Sequence, residues 1–367
     1  MTATKQPKLP IALTDLDRRI FEEEIDPVLP RKIFDIHTHV YLNEHIGPES
    51  PERGSIVFDR LYPSAGWDDC DAADRLLLPG REVHRVAFGF PFQDVDFKAI
   101  NEFTITQSRK DPQSGAFLLV KPAMSAEDVE RQIVEDGFLG LKPYRLYTTT
   151  GDPKESRITN FLPEHQLEVA DRYGLGIILQ LSKSGGIADA DNISDLERLS
   201  ERYARVRFIM AHCARAFYPQ PLDRVGKRLA RLRNVYFDSA AVCEYGSYDR
   251  LLELVGPGRI MYGSDDLPAC VDRGKYISWG EAWMHGNEDS LLCAELPHCD
   301  SRMTFIRYEV LRALARAIRR HALSSAETAA IFNDTAAGLV TEFRAAVRDA
   351  GHRAVSMVPY QSFQLRE

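Results

Sequence analysis

Eight short apolar runs alternate with amphipathic helical segments along most of this 367-residue chain. Each run is rich in residues that favour β-strands, and each is short enough to form a single buried strand. The runs cover residues 32–37, 83–90, 116–121, 138–143, 175–181, 207–212, 234–239 and 259–264. Alternation of continuous apolar strands with helices is typical of a parallel sheet that is buried on both faces.

Eight such units favour a closed barrel over an open, doubly wound sheet, and no GxGxxG motif follows the first run. We therefore predict an α/β fold, a (β/α)8 TIM barrel in one domain over residues 1–367. The barrel core would cover about 32–340, with an N-terminal extension at 1–31 and a C-terminal helix and tail at 341–367. Residues 302–321 and 326–350 have the pattern of long C-terminal helices.

Two connecting segments are longer than simple strand-to-helix loops. We expect residues 41–81, after the first strand, and 267–301, after the eighth, to form long loops over the C-terminal face of the barrel. In that position they would act as lids or substrate walls, and a surface dimerisation arm is the alternative interpretation.

Charge and cysteine usage exclude several classes of protein. Lys and Arg number 46 against 54 Asp and Glu, giving a net charge of −8 without blocks of like charge, which argues against a nucleic-acid partner. The six cysteines form no CxxC pair and are expected to be reduced thiols. The chain has neither a signal-peptide pattern nor an apolar run long enough to span a membrane, so we expect a cytoplasmic protein without a membrane partner. Assembly into a homo-oligomer is left open.

Potential metal ligands follow several of the predicted strands. His37 and His39 are two positions apart at the end of the first run, so their side chains point the same way. His212 ends the sixth run and Asp265 follows the eighth. Active sites of parallel barrels are built at the carboxyl ends of the strands, so these four side chains are expected to converge. Core or helix-capping roles explain each residue singly, but the set together favours a metal or catalytic site.

The motifs around these residues resemble those of the amidohydrolase superfamily, in particular its amidohydrolase-related branch of metal-dependent hydrolases and decarboxylases. The matching segments are FDIHTH, GFLGLK, FIMAHC, MYGSD and IFNDTAAGLV, in this order between about Phe34 and Val340. The resemblance therefore covers nearly the whole chain.

The resemblance implies a role for each strand-end residue. His37 and His39 would be metal ligands, and Asp265 would be both a ligand and the catalytic acceptor of the proton from the attacking water. His212 would be a catalytic residue that orients substrate or water, or binds a second metal. Two imidazoles and a carboxylate suit one zinc ion per chain, although manganese, iron or nickel could occupy the same ligand set.

The sequence departs from the family pattern at the fifth strand, where Gln180 stands in place of the usual histidine. An amide oxygen is a poor zinc ligand, which weakens both a two-metal site and a three-histidine site. Gln180 is instead a candidate for hydrogen bonding to substrate, with an ordinary strand residue as the alternative.

Lys142, near the end of the fourth run, is a further catalytic candidate, because a lysine in an apolar strand needs a partner or an aqueous cavity. It could be carbamylated between two metals, bind a substrate carboxylate or pair with an acid. Tyr144, Arg145 and Arg215 follow the fourth and sixth strands and are candidates to bind an anionic substrate.

The resulting hypothesis is a metal-dependent hydrolase that activates water to cleave a lactone or amide in a small polar substrate, with a carboxylated substrate as one option. Three alternatives stay open at this point. They are a non-oxidative decarboxylase of the same superfamily, a metal-free lactonase, and a barrel that has lost catalysis and acts as a binding protein.

Overall fold

A computed structural model of the chain describes residues 11–53, 64–287 and 303–356. The strands of these ranges are β1 (Lys32–Leu42), β2 (Ser64–Ala65), β3 (Glu82–Gly89), β4 (Gly115–Ala116), β5 (Leu118–Val120), β6 (Gly140–Pro143), β7 (Gly176–Leu179), β8 (Arg207–Met210), β9 (Val235–Asp238), β10 (Ile260–Met261), β11 (Gly274–Trp279) and β12 (Ala282–Asn287). Every predicted apolar run contains a strand, and the predicted α/β fold with parallel strands is confirmed.

Backbone hydrogen bonds join the parallel strands into a ring. One sheet has the order β2-β1-β3-β4, and the other has the order β10-β9-β8-β7-β6-β5. At the first seam, Phe117 N donates to Ala87 O at 2.9 Å. At the second seam, Asp265 N donates to His37 O at 3.0 Å, which places the segment after β10 beside β1. The carboxyl ends of the parallel strands therefore open on one face of the ring.

Helices follow most of the strands. They are Asp15–Ile20, Trp67–Leu77, Phe97–Ser108, Ala126–Arg131, Ile158–Phe161, Glu164–Tyr173, Ala190–Arg202, Gln220–Arg231, Tyr245–Val255, Pro268–Val271, Ile306–Arg320, Ser325–Ala329 and Thr335–Ser356, and wider π-type turns cover Phe21–Ile25, Gln132–Asp136 and Ala330–Asp334. Short 3-10 turns cover Asn43–His45, Arg145–Tyr147, Gly186–Ala188 and Pro257–Arg259. Among the described residues, no helix combines the length and apolar character required to cross a membrane.

The segment predicted as one long loop at 41–81 contains regular structure, so that prediction was wrong over much of its length. Strand β1 extends to Leu42, and the helix Trp67–Leu77 begins well before β3. The helix buries Trp67, Cys70, Ala73 and Leu77, which lie at helical spacing on one face. The five charged residues between them obscure this pattern in the sequence. Residues 54–63 of the segment lie outside the described residues.

The segment after β10 contains the short helix Pro268–Val271 and then a β-hairpin made of β11 and β12. Its register pairs Gly274 with Asn287. Trp283 stacks on Phe217, which follows β8, with 4.0 Å between ring centroids. Trp279, at the tip, is 75% exposed. The described part of this segment is thus a two-stranded wall, and residues 288–301 of the predicted loop lie outside the described residues.

Candidate metal centre

Three side chains predicted as metal ligands come together where the second half of β1 meets the segment that follows β10. The Nε2 atoms of His37 and His39 lie 3.3 and 3.4 Å from the same oxygen of Asp265, Oδ1. One potential ligand atom from each residue falls within 4.8 Å of the others. Both imidazoles are buried, whereas the Asp265 side chain is 24% exposed, so the group is reached from one side.

The protonation states of this group match those of metal ligands. Burial lowers the pKa of His39 to about 4, so its imidazole is neutral at pH 7. Burial opposes ionisation of Asp265, but the hydrogen bond with His39 and the surrounding imidazoles outweigh it and hold the pKa of Asp265 well below its usual range. A neutral imidazole and an ionised carboxylate are the forms that bind a metal ion.

His212 and Gln180 meet beside this group. His212 Nδ1 lies 2.9 Å from Ala240 O, and His212 Nε2 lies 3.2 Å from Gln180 Nε2. A carbonyl oxygen only accepts, so Nδ1 carries the proton and Nε2 accepts from the Gln180 amide. Burial lowers the pKa of His212, which keeps the ring neutral. The ring centroids of His212 and His37 are 5.3 Å apart, so His212 lies next to the ligand group, which consists of His37, His39 and Asp265.

Cationic side chains line the same end of the barrel. Lys142 Nζ is buried 4.9 Å from the ring centroid of Phe88 and 5.3 Å from that of Tyr144, without a hydrogen-bond partner in the described ranges. Burial lowers the pKa of Lys142 to about 8. Burial, followed by the charge of nearby Arg145, lowers the pKa of Arg215 to about 10. Arg145 and Arg215 therefore lie close enough to repel each other, and an anion bound between them would relieve this repulsion.

Each arginine is held by the backbone. Arg145 donates from an Nη atom to Pro153 O at 2.9 Å, and its buried Nε has no hydrogen-bond partner in the described part of the chain. Arg215 donates to Leu181 O at 3.0 Å and lies over the Trp283 ring, 5.8 Å from its centroid. The predicted substrate-binding arginines are thus fixed in place, with donors to spare.

A family model described as amidohydrolase matches residues 34–340. The chain belongs to the amidohydrolase family. No sequence among the curated proteins matches it. The resemblance read from the sequence motifs is therefore confirmed at the level of the family.

Solved structures of several enzymes share the fold at low sequence identity. An amidohydrolase from Burkholderia multivorans with bound zinc has a TM-score of 0.54 at 14% identity, covering 84% of this chain and 99% of that chain. A 4-oxalomesaconate hydratase from Rhodopseudomonas palustris has a TM-score of 0.53 at 14% identity, covering 88% and 99%. A 5-carboxyvanillate decarboxylase from Sphingomonas paucimobilis has a TM-score of 0.53 at 12% identity, covering 85% and 99%. At these identities the likeness extends to the fold alone.

The donor set of this amidohydrolase suits a divalent transition metal. Two imidazole nitrogens and one carboxylate oxygen are the ligand types that zinc prefers, and three protein ligands leave a position open for water. The 2.8 Å contact of His37 Nδ1 with Asp238 Oδ2 favours the tautomer that leaves Nε2, the nitrogen next to Asp265, as the metal-binding atom. The residues present therefore fit one zinc ion.

Asp238 is the site residue that the sequence analysis missed. It ends β9, is fully buried, and contacts both His37 and the backbone of His212. Its sequence signal was a carboxylate at the end of the seventh apolar run, the same signal that identified Asp265 after the eighth. The aromatic wall of Phe217, Tyr276 and Trp283 also went unpredicted, because its contacts join segments distant in the chain.

His212 begins a left-handed turn, residues 212–215. These four residues have φ of 57°, 51°, 61° and 58°, although none is glycine. Left-handed backbone costs a residue with a side chain roughly 1–2 kcal/mol, so the surrounding contacts must hold this turn. Gly186 (φ +54°) packs against it, and a Cβ atom there would lie 3.0 Å from Arg215 O. The turn places His212 and Arg215 on the same side of the barrel mouth.

Replacing Gly186 with alanine is expected to destabilise the protein by about 1–2 kcal/mol, because alanine at positive φ is strained. The added methyl group would also press on the left-handed turn and raise KM for an anionic substrate through Arg215. Urea unfolding and steady-state kinetics measure the two effects. The control is Gly258→Ala, since a Cβ there would meet no atom within 4 Å. Equal stability of both variants would contradict the prediction.

Proposed function

We propose that this amidohydrolase family member is a metal-dependent hydrolase that activates water to cleave an acyl C–O or C–N bond. The expected target is a lactone or amide in a small substrate that carries a carboxylate. One observation carries the proposal: the group of His37, His39 and Asp265 lies beside the buried Lys142 and the half-buried Arg145 and Arg215, and these cations have no anionic partner at hydrogen-bond distance among the described residues.

The ligand group supplies both metal binding and a base. A divalent cation held there would lower the pKa of a coordinated water towards 7 and polarise the substrate carbonyl. Both imidazoles contact Oδ1 of Asp265, so we assign Oδ2 as the atom that takes the proton of the attacking water. The 24% exposure of the Asp265 side chain gives water access to it.

His212 would orient the reacting groups. Its Nε2 accepts from the Gln180 amide and so fixes that side chain, which keeps a second N–H and its Oε1 for hydrogen bonds to substrate or water. Because His212 is held neutral by burial, it positions the carbonyl or water without adding a charge. The amide of Gln180, a hydrogen-bonding group, thus stands at the position where a metal-binding histidine is expected.

Cations beside the ligand group would select a carboxylated substrate. Lys142 is buried and Arg145 and Arg215 are half-buried, and all three lie close to Tyr144. Unpaired buried charges are costly, and a substrate carboxylate would neutralise them. These cations would also offset the net charge of −8, which repels an anionic substrate.

The wider proposal is a single barrel domain over residues 1–367, active on a small molecule in the cytoplasm with one zinc ion per chain. Neither nucleic acid nor a membrane is a partner in this proposal, and a homo-oligomer is compatible with it. A non-oxidative decarboxylase is the second candidate, because the same cations could hold a departing carboxylate. The metal-free lactonase and the inactive barrel are the remaining alternatives.

Elemental analysis and isotope labelling test the proposal. Protein purified without chelator is expected to contain about one zinc per chain, and a panel of carboxylated lactones and amides is expected to give turnover. Product formed in H2(18)O would carry the heavy oxygen. Carbon dioxide release without incorporation would identify the decarboxylase, activity without metal would identify the metal-free lactonase, and metal-free protein without turnover would favour the inactive barrel.

The charge of Lys142 predicts a pH dependence. Because burial lowers its pKa to about 8, Lys142 is a cation below that pH and neutral above it. For a carboxylated substrate, kcat/KM is expected to fall as pH rises through about 8. An uncharged analogue of the same substrate should show no such fall.

The matched control is Lys142→Arg, because the ordinary pKa of a guanidinium is about 2 units or more above that of an amine. It is expected to abolish the fall in kcat/KM between pH 8 and 10, measured with the same substrate pair. The same fall for the neutral analogue in the wild type would assign the titration to another group and contradict the role of Lys142.

A further inference from the structure

Asp238 is a carboxylate whose two oxygens serve two different parts of the site. Oδ2 lies 2.8 Å from His37 Nδ1. Oδ1 accepts from the backbone N–H of His212 at 2.7 Å and from that of Ala240 at 3.1 Å. The side chain is fully buried, so no solvent competes for these contacts. One residue at the end of β9 therefore links a candidate ligand on β1 with the turn that follows β8.

We propose that Asp238 is a positioning residue that presents His37 Nε2 to the metal and at the same time holds the left-handed turn that carries His212 and Arg215. This inference rests on the proposed metal site. Asp238 would touch neither metal nor substrate, and its effect would pass through His37 and the turn.

The Oδ2 contact fixes which nitrogen of His37 is available. A neutral imidazole has one N–H, and the carboxylates on either side of His37 can only accept. The contact with Asp238 Oδ2, at 2.8 Å, is shorter than the 3.3 Å contact with Asp265 Oδ1, which favours the proton on Nδ1 and leaves the lone pair on Nε2. His39 differs, because its buried Nδ1 has no hydrogen-bond partner in the described ranges. Of the two histidines, His37 is therefore the one whose ligand atom is fixed in advance by a carboxylate.

The contacts of Asp238 Oδ1 stabilise a turn whose backbone conformation is energetically unfavourable on its own. The left-handed turn holds four residues with side chains at positive φ. A carboxylate that accepts from backbone N–H groups forms charge-assisted hydrogen bonds, which are stronger than neutral ones. Cys213, inside the turn, is buried and also contacts the Asp238 backbone, with Sγ 3.4 Å from Asp238 O. The turn is thus anchored on β9 from its first two residues.

Asp238→Asn separates the two roles. The asparagine oxygen is needed by the two backbone N–H groups, so its NH2 group would face His37 Nδ1. An NH2 group donates, which forces the His37 proton onto Nε2, the atom that must bind the metal. Asp238→Asn is therefore expected to weaken zinc binding about 10- to 100-fold while the turn stays in place. Asp238→Ala removes both contacts.

The control variant is Asp111→Asn. Asp111 Oδ2 lies 2.7 Å from His84 Nδ1, which reproduces the aspartate–histidine pair at a place outside the candidate site. Loss of this pair should leave zinc affinity unchanged. A loss of zinc affinity in both variants would show a general effect of removing a carboxylate.

Three measurements on the full-length protein test the inference. Nitrogen-15 NMR of histidine in zinc-free protein reports the tautomer of His37, assigned with His37→Gln. Chelator competition gives zinc affinity. Alkylation of Cys213, followed by mass spectrometry, reports opening of the turn and is expected to quicken about tenfold or more in Asp238→Ala but not in Asp238→Asn.

The outcomes separate this inference from the proposed function. Wild-type protein without zinc affinity would refute the metal-dependent hydrolase, yet the His37 tautomer and Cys213 alkylation would still test Asp238. If Asp238→Asn keeps the wild-type tautomer and zinc affinity, or Asp238→Ala leaves Cys213 protected, the inference is overturned. A switched tautomer with weaker zinc binding supports it.

Discussion

Asp265→Asn is expected to lower kcat by roughly 100- to 10,000-fold and to leave zinc bound to the protein. Both histidine ligands remain, and the asparagine keeps an oxygen near them; because an amide oxygen is a poorer zinc ligand than a carboxylate, zinc is expected to bind more weakly but still to load when it is supplied in excess. An amide cannot take a proton from water, so the base is lost. Steady-state kinetics and elemental analysis of the same preparation measure the two effects.

Two further variants serve as controls for this prediction. His37→Ala removes a ligand and is expected to lose both zinc and activity. Asp195→Asn removes a buried carboxylate that pairs with Arg157 at 2.6 Å, outside the candidate site, and should leave both unchanged. If Asp265→Asn retained the wild-type kcat, Asp265 would not be the base. If Asp265→Asn lost its zinc as His37→Ala does, the loss of activity could not be assigned to the base alone. That result would contradict the prediction.

Local patterns account for what could be predicted from the sequence. Apolar runs of strand length and the helical patterns between them indicated the α/β fold and the order of its strands. The ligand group was predictable because His37 and His39 share one face of a strand, and because the carboxyl ends of parallel strands meet, bringing Asp265 to them. Each of these inferences needs only periodicity and the direction of the strands.

What the sequence analysis missed depends on contacts between distant segments. The role of Asp238 follows from 2.8 Å to a histidine 201 positions away, which no local pattern encodes. The left-handed turn contains no glycine, the residue that usually signals positive φ, so its sequence does not predict its left-handed backbone conformation. The helix Trp67–Leu77 was missed for a different reason, since its four buried apolar residues are separated by aspartates and an arginine.

A buried ion cluster behind the ligand group joins the C-terminal helix Ile306–Arg320 to the barrel. Arg307 is fully buried and donates to Asp74 at 2.6 Å and to the Tyr262 hydroxyl at 2.9 Å. Its third nitrogen lies 2.7 Å from Asp266, the residue after Asp265. Burial raises the pKa of Asp266 to about 7 despite the opposing charge of Arg307. The helix that follows the barrel therefore holds the backbone that carries Asp265.

Arg307→Met is expected to destabilise the protein by about 3–5 kcal/mol, because it leaves buried carboxylates without their cation. Urea unfolding measures the loss. Methionine occupies similar space, so the effect reports charge more than a cavity. Arg228→Met is the control: Arg228 also binds a carboxylate, that of Glu197, but on the surface, where solvent screens the pair. It should change the free energy of unfolding far less.

The loss of free energy of unfolding in Arg307→Met is also expected to depend on pH. Without the cation, the pKa of Asp266 rises further above its unfolded value of about 3.9, so the folded variant takes up a proton that the unfolded chain releases. Stability from such a group is present at low pH and lost as pH rises through the folded pKa. The variant should therefore lie closer to the wild type at pH 5 than at pH 8. If the variant lost the same free energy of unfolding at both pH values, or lost more at pH 5, the prediction that Asp266 is left without its cation would be wrong. The position of the ligand group would then depend on β1 and β10 alone.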